Sequence, residues 1–337
     1  SIRKAWGIPE LRKKIIFTLL ILLIFRIGNA ITVPYVDVGL LETYLDQMGG
    51  TILGLYNVMS GGAFAQATIF ALGVQPYINS SIIIQLLTIA IPSLGRMAQE
   101  GGEEGKKKIQ SITRYATVAI AILQGWGYYM LMKNYGILTE KSFWVALVII
   151  ASFIAGSSFV MWMGEQITEF GIGNGISLLI MAGIVSNMFN WGRQATVGMV
   201  GGTVHPIAVI VIVIALLAMI VAITFVDMGE RRIPIQYAKR VVGRKMYGGQ
   251  STYIPMKINS TGVMPLIFGF AILQFPATIF AFFPTSGINV WWQGFQSGIW
   301  YQVVLAVLII AFTYFYTSIT FNPVDISKNM QQNGGII

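Results

Sequence analysis

The chain has 337 residues, of which 55% are hydrophobic and only 10% are charged, and its formal net charge is +9. A soluble domain carries about 25% charged residues, so this composition with its long apolar runs indicates a membrane protein. The chain has no cysteine and a single histidine, His205. Disulfides and thiolate metal sites are therefore excluded, and we predict no metal site, no cofactor and no catalytic residue.

Eight apolar segments are candidates to cross a bilayer, whose core needs about 20 residues of helix. They are residues 15–33, 74–91, 112–132, 143–162, 176–189, 204–226, 263–283 and 299–321. The fifth is short for a span. The first follows a basic segment, as in a signal peptide, but no small-residue cleavage site follows it, and we expect a retained helix.

The basic residues predict the orientation of these spans. With the N-terminus inside, 18 of the 22 Lys and Arg residues fall in inner segments. Only Lys133, Lys141 and Arg193 fall in outer segments, and Arg26 lies within the first span, where we expect its side chain to reach towards an interface. This bias predicts a cytoplasmic N-terminus. It also explains the positive charge without DNA binding.

The outer segment 34–73 is too long for a simple hairpin. It contains a run of mostly small residues, Ser60, Gly61, Gly62, Ala63 and Phe64. The run is too short to span, and such backbone survives at membrane depth only inside protein or beside a water-filled cavity. The segment is therefore either a re-entrant element lining a cavity or a loop on the outer surface.

The inner segment 227–262 is long and basic. Its cluster of positive residues is Arg231, Arg232, Lys239, Arg240, Arg244 and Lys245. Such a segment is either a docking surface for a large anionic partner or a topology signal beside anionic lipid. Its length favours docking, because a topology signal needs only a few residues.

Several function classes have little support. The spans are nearly free of ionisable residues, which argues against proton pumps and voltage-gated channels but not against a sodium-coupled transporter that binds ions through backbone carbonyls. Residues 101–107 have the wrong spacing for a phosphate loop, and residues 171–175 lack the third glycine of a dinucleotide motif. An intramembrane enzyme would need a catalytic pair in the spans, and we see none.

Two pairs of isoleucines share the spacing of one helix face. Ile78 and Ile82 lie in the second span, and Ile176 and Ile180 lie in the fifth. Branched apolar side chains that face each other form a constriction that excludes water by dewetting. The alternative is ordinary packing between membrane helices.

Several longer motifs resemble the SecY family, the channel-forming subunit of the bacterial Sec protein translocase. They are residues 76–87, 161–169 with 171–177, 237–240, 250–252, 262–265 and 275–278. The motifs follow the order of the family, and the resemblance covers essentially the whole chain.

The resemblance implies an all-α polytopic membrane protein, an inverted-repeat helix bundle with a short re-entrant plug helix. Residues 1–190 would form the N-terminal half with spans 1–5, and residues 191–337 the C-terminal half with spans 6–8. Eight of the ten transmembrane helices of the family would be present, without the ninth and tenth.

The resemblance also assigns residues to roles. The pore ring would consist of Ile78, Ile82, Ile176, Ile180 and Ile267, and the plug would cover about residues 54–66. The lateral gate would open between spans 2 and 3 on one side and spans 7 and 8 on the other. Gln85 and Asn259 would be its polar contacts, unless they are ordinary polar groups at helix ends.

The implied function is a passive channel that carries unfolded secretory proteins across the bacterial cytoplasmic membrane and releases membrane-protein helices laterally. The implied partners are SecE, SecG, the SecA motor ATPase or the ribosome on segment 227–262, signal sequences, preproteins and membrane lipids. The channel would not be an enzyme. The alternative is a secondary transporter of a small solute, and an intramembrane enzyme ranks behind both.

Overall fold

The chain folds into two compact units in a computed structural model. The structure describes residues 7–47, 52–99, 102–202, 205–237, 240–242, 245–247, 252–259, 261–280, 286–320 and 335–336. The first unit contains residues 1–194 and 274–299, and the second contains residues 195–273 and 300–337. The expected halves, 1–190 and 191–337, stay a prediction.

The described residues up to position 200 contain eight helices. They are α1 (Pro9–Gly28), α2 (Val38–Gln47), α3 (Ile52–Met59), α4 (Gln75–Ala90), α5 (Pro92–Gln99), α6 (Gly102–Asn134), α7 (Phe143–Phe170) and α8 (Gly175–Val200). Helix α4 packs against α5 and α6, α6 packs against α7, and α7 packs against α1. Proline lies in the first turn of α1 and of α4. The N–H groups of a first turn have no partner within the helix, so the missing proline N–H costs no helical hydrogen bond.

The core of the first unit lies between α6 and α7. Phe153 and Ile149 of α7 have no exposed surface, and the Tyr128 ring of α6 packs 5.2 Å from the ring of Phe153. A buried hydrogen bond also joins α4 to α6: the hydroxyl of Ser80 donates to the Thr113 carbonyl at 3.1 Å. These contacts fix the helices that surround the predicted plug.

The described residues beyond position 200 add four helices and five strands. They are α9 (Pro206–Asp227), β1 (Glu230–Tyr237), β2 (Arg240–Val242), β3 (Lys245–Tyr247), β4 (Thr252–Lys257), α10 (Met264–Phe280), α11 (Gly287–Ser297), α12 (Ile299–Thr320) and β5 (Gly335–Ile336). Strand β1 pairs antiparallel with β4 and, at its end, with β5, and β2 pairs antiparallel with β3.

The strands of segment 227–262 differ from the all-α expectation. Ile233, Ile235 and Tyr237 alternate with polar residues or proline at the period of a strand. In the register of the hairpin, Ile233 lies opposite Ile254 and Glu230 lies opposite Lys257. The described residues of the basic segment therefore form antiparallel strand pairs, which we call the basic hairpin, rather than an open loop.

Four helices are long and apolar enough to cross a membrane: α7, α8, α9 and residues 299–318 of α12. Helix α8 has 26 residues, so the fifth span is longer than the predicted range 176–189. The other predicted spans coincide with α1, α4, α6 and α10, of which α4 has only 16 residues. Eight spans therefore stay a prediction, while a mostly helical protein with several membrane spans is confirmed.

Candidate functional site

The predicted plug, residues 54–66, is a short helical and turn element inside the first unit. We call these residues the plug segment. Helix α3 has eight residues, and the turns after it bury Ser60, Ala63, Phe64 and Ala65. An element of this length does not cross a bilayer, and an outer surface loop would expose these side chains. The burial therefore favours the re-entrant alternative.

Side chains from three neighbouring parts of the bundle bind carbonyl groups of the plug segment. The Asn187 amide of α8 donates to the Val58 carbonyl at 2.9 Å, and the Asn29 amide, directly after α1, donates to the Ser60 carbonyl at 3.2 Å. The Tyr128 hydroxyl of α6 donates to the Phe64 carbonyl. The Val58 carbonyl also accepts the Gly61 N–H at 3.2 Å, and the Phe64 carbonyl also accepts the Ala67 N–H at 3.1 Å. The side-chain donors at these two carbonyls therefore add a second hydrogen bond from the surrounding helices.

Arg26 is exposed and contacts the plug segment, and its reach towards an interface stays a prediction. Its guanidinium donates to the Ser186 hydroxyl at 2.8 Å and approaches the Gly61 carbonyl at 3.4 Å. The sequence showed a lone charge within the first span but gave no sign of its partner. In the structure its partners are a backbone carbonyl and a hydroxyl, and neither group carries a charge.

Glycines allow the plug segment to lie directly against α8. A Cβ atom on Gly183 would lie 2.5 Å from the carbonyl oxygen of Met59, so only glycine fits there without a shift. Gly61 and Gly62 adopt φ angles of 71° and 88°, in the left-handed region that favours glycine. The small residues noted in the sequence therefore serve a tight turn and a close backbone contact.

The four isoleucines of the first unit lie on two helices. Ile78 and Ile82 of α4 are both buried, whereas Ile176 and Ile180 of α8 are half-buried. The side chain of Ile176 packs over Gly164 of α7, because a Cβ on that glycine would lie 2.3 Å from Ile176 Cδ1. This contact favours the helix-packing alternative for Ile176 without testing whether the residue also lines a pore. A pore ring stays a prediction.

Comparisons with known proteins identify the family. The SecY family model matches residues 68–337 of the chain. The Protein translocase subunit SecY of Aquifex aeolicus (strain VF5) is 40% identical over 343 residues, which is 100% of this chain and 80% of the relative. That of Escherichia coli (strain K12) is 39% identical over 349 residues, which is 98% of this chain and 76% of the relative. The chain belongs to the SecY family.

Solved structures show the same fold. A chain from "The structure of a protein conducting channel" superposes with a TM-score of 0.58 at 18% identity, covering 89% of this chain and 64% of that one. The chain from "Sec61 in the Canine ribosome-channel complex from the endoplasmic reticulum" gives 0.56 at 18% identity, with coverages of 89% and 65%. The chain thus spans about two thirds of these channel proteins. Its function class is that of a protein translocase subunit, and these relatives give no support to a small-solute transporter.

The basic hairpin of this SecY-family chain exposes Arg231 and Arg232. The guanidinium of Arg232 lies 4.8 Å from the ring centroid of Tyr253 on β4, a cation–π distance. Arg240 and Lys245 lie in β2 and β3. Lys239 and Arg244 lie outside the described residues.

The two predicted gate residues occupy different units. Gln85 of α4 is half-buried, and its carbonyl accepts a hydrogen bond from the Thr88 hydroxyl at 2.7 Å. The Asn259 side chain accepts a hydrogen bond from the Gly262 N–H at 3.1 Å, in the turn before α10. That contact favours the helix-end alternative for Asn259, and the gate role of both residues stays a prediction.

The sequence analysis missed an ion pair between α6 and α7. Arg114 and Glu165 approach to 2.9 Å, and the Gln110 amide donates to the same carboxylate at 3.1 Å. Glu165 lies within the motif 161–169, but nothing in the sequence indicated its partner. In the described part of the chain no group of three or more His, Cys, Asp or Glu residues could hold a metal ion.

Proposed function

We propose that this chain is the central subunit of a protein-conducting channel that moves unfolded secretory proteins across the bacterial cytoplasmic membrane. The observation that carries the proposal is the buried plug segment. A short helix enclosed within a membrane bundle fills space that would otherwise be a path for water, since non-spanning backbone at membrane depth lies inside protein or lines a cavity. The relatives at about 40% identity are named as translocase subunits.

The contacts of the plug segment suit it to move out of its packed position and return. The contacts that hold it include hydrogen bonds to backbone carbonyls, a close approach of glycine backbone, and the Phe64 ring stacked on Tyr128 at 4.3 Å. A net contribution of about 0.5–1.5 kcal/mol is typical for each such bond, because water replaces it when the groups separate. A few bonds of this kind therefore hold the segment firmly enough to close a resting channel but weakly enough for an arriving polypeptide to displace it.

The isoleucine ring would seal the open state. The proposed members are Ile78, Ile82, Ile176, Ile180 and Ile267. Branched apolar side chains exclude water and ions without hydrogen bonds, so they close around a moving chain of any sequence. The channel performs no covalent chemistry and needs no cofactor, and the energy for transport comes from a partner or a gradient.

Lateral release would use the weakness of helix contacts in lipid. These contacts rest on packing and a few polar groups because lipid tails are as apolar as the helices. A signal sequence or an apolar substrate helix therefore replaces one helix neighbour with another at small net cost. Gln85 and Asn259 are the polar groups we place near this gate.

The basic hairpin would dock a large cytoplasmic partner. Arg231 and Arg232 are exposed on a folded hairpin, and positive surface attracts an anionic partner such as ribosomal RNA or an acidic face of the SecA motor. This assignment places the N-terminus and the hairpin in the cytoplasm, in line with the charge bias of the spans. SecE and SecG complete the proposed assembly.

A disulfide experiment tests the conducting role, using the absence of native cysteines in this chain. One cysteine replaces Ile180, and another is placed in the mature region of a secretory protein stalled during export. We expect a signal-sequence-dependent disulfide on oxidation. The matched control is Met181→Cys, one residue along on the exposed side of α8.

Two outcomes separate the pore from simple helix packing. A disulfide at position 180 that exceeds the one at position 181 places the polypeptide beside the proposed ring. If the stalled substrate links equally to both positions, or only to position 181, then Ile180 does not line the path and the ring is wrong.

A further inference from the structure

Helix α11 (Gly287–Ser297) is amphipathic but carries no charge. Successive residues of a helix are about 100° apart, so Ile288, Trp291, Trp292 and Phe295 fall within one arc of about 100°. The polar positions 289, 293, 296 and 297 fall within a separate arc of similar width, and Val290 borders it. This separation is typical of a helix that lies at a boundary between an apolar and a polar medium.

One edge of the apolar arc is attached to the protein. Trp292 is 8% exposed, and its ring contacts Phe280, at the end of α10, at 5.6 Å and Phe295 at 5.3 Å. The rest of the arc is uncovered, because Trp291 is 63% and Ile288 is 58% exposed. Two large apolar side chains would therefore face water unless another apolar medium covers them.

The position of α11 in the chain points to lipid as that medium. The helix lies between α10, which the sequence predicts to span, and α12, which is long and apolar enough to span, so we expect both of its ends to lie near a membrane surface. The next helix begins with Ile299 and Trp300, which are also largely exposed. No Lys, Arg, Asp, Glu or His occurs between residues 258 and 324.

The chemistry of the helix selects one part of the bilayer. Tryptophan prefers the headgroup level, where an apolar ring and a polar N–H are both accommodated. A helix of this kind lies in the plane of the interface with its apolar face about 5–10 Å into the boundary between headgroups and acyl chains. Since α11 has no charge, its binding does not rely on anionic headgroups.

We propose that α11 is an interfacial helix that inserts Ile288 and Trp291 into the headgroup–acyl boundary of the bilayer. Trp292 holds the helix to the end of α10. The membrane surface thereby fixes the end of a helix that the proposed lateral gate uses. The inference concerns the lipid contact alone and does not depend on whether the channel conducts protein.

Spin labels on introduced cysteines test the placement in the full chain reconstituted in phosphatidylcholine. The test positions are Trp291→Cys and Ile288→Cys, and the matched position on the polar arc is Ser297→Cys. We expect the first two labels to collide more often with oxygen, which concentrates in lipid, than with a water-soluble nickel chelate. The label at position 297 should show the reverse. Val211→Cys on α9, whose side chain is 57% exposed, serves as the lipid-facing reference.

Three results would overturn the proposal, provided that the reference label reports lipid. Equal nickel access at positions 288, 291 and 297 would place the helix in water. Low access of both reagents at positions 288 and 291 would mean that protein covers them. A nickel-to-oxygen ratio that changes strongly when part of the lipid is replaced by phosphatidylglycerol would mean that anionic headgroups, rather than the acyl boundary, bind the helix.

Discussion

Substitution of Gly183 by alanine should release the plug segment from α8. The added Cβ would lie 2.5 Å from the Met59 carbonyl oxygen and 3.2 Å from the Gly61 nitrogen. Both atoms are backbone, so no flexible side chain can turn aside. Because real Cβ atoms essentially never approach within 3.0 Å of such an atom, α3 and α8 must separate by about 0.5 Å or more.

The expected size of the effect follows from this overlap. Overpacking of a tight contact costs about 1–3 kcal/mol. This cost applies only to the state in which the plug segment packs against α8, because the contact is absent once the segment moves away. A shift of this size changes an equilibrium about 5–150-fold. Replacing glycine within a helix also stabilises α8 by about 1 kcal/mol, but this gain is present in both states and cancels.

The assay is the resting ion leak of proteoliposomes that contain the full-length channel and no substrate. Gly192→Ala is the matched control, because it makes the same substitution in α8 at a site with no atom within 4 Å of the new Cβ. We expect a leak several-fold above that of the control. If both variants fold and leak equally, the contact between Gly183 and the plug segment does not hold the channel closed.

Three further experiments test other side chains. Asn187→Ala removes one donor to the Val58 carbonyl, which keeps its hydrogen bond from the Gly61 N–H. The loss of about 0.5–1.5 kcal/mol should raise the resting leak about 2–10-fold, whereas Asn190→Ala, at an exposed position of the same helix, should leave the leak unchanged. A double-mutant cycle of unfolding stability on Arg114 and Glu165 should give a coupling of about 1 kcal/mol. The exposed pair Glu103 and Lys106 should give a coupling close to zero. Equal couplings would contradict our view that Arg114 and Glu165 fix α6 to α7. Arg231→Glu with Arg232→Glu should weaken binding of the ribosome or motor at low salt, with Lys133→Glu as the control, and an unchanged affinity would remove the hairpin from the docking surface.

Composition and motif order were sufficient to predict the class of fold, whereas the plug stays a prediction. Long apolar runs predict helices directly, because lipid leaves few other ways to satisfy the backbone. The run of small residues from Ser60 to Ala63 is unusual in a connection between spans, and the structure buries it as expected for a re-entrant element.

The partners of these residues could not be predicted, because they depend on how distant helices meet. Asn187 and Arg26 look like isolated polar residues in apolar helices until the structure places them at carbonyls of the plug segment. A backbone carbonyl leaves no mark in a sequence, since every residue has one. The β-hairpin could not be predicted for another reason: the alternation at Ile233 and Ile235 that indicates a strand covers only a few positions of a basic segment.

If Gly183 and Asn187 act on one contact, their effects on the leak should not combine independently. They are one turn apart on α8, and both meet the end of α3. A separation of about 0.5 Å forced by Gly183→Ala would stretch the Asn187 bond from 2.9 Å towards the limit of hydrogen bonding. The double variant should therefore leak less than the product of the two single effects. Tyr128→Phe, which removes a donor on a different helix, should combine with Gly183→Ala multiplicatively. A double variant of Gly183 and Asn187 that reaches the full product would mean that the two residues hold the plug segment through separate contacts, contrary to the geometry.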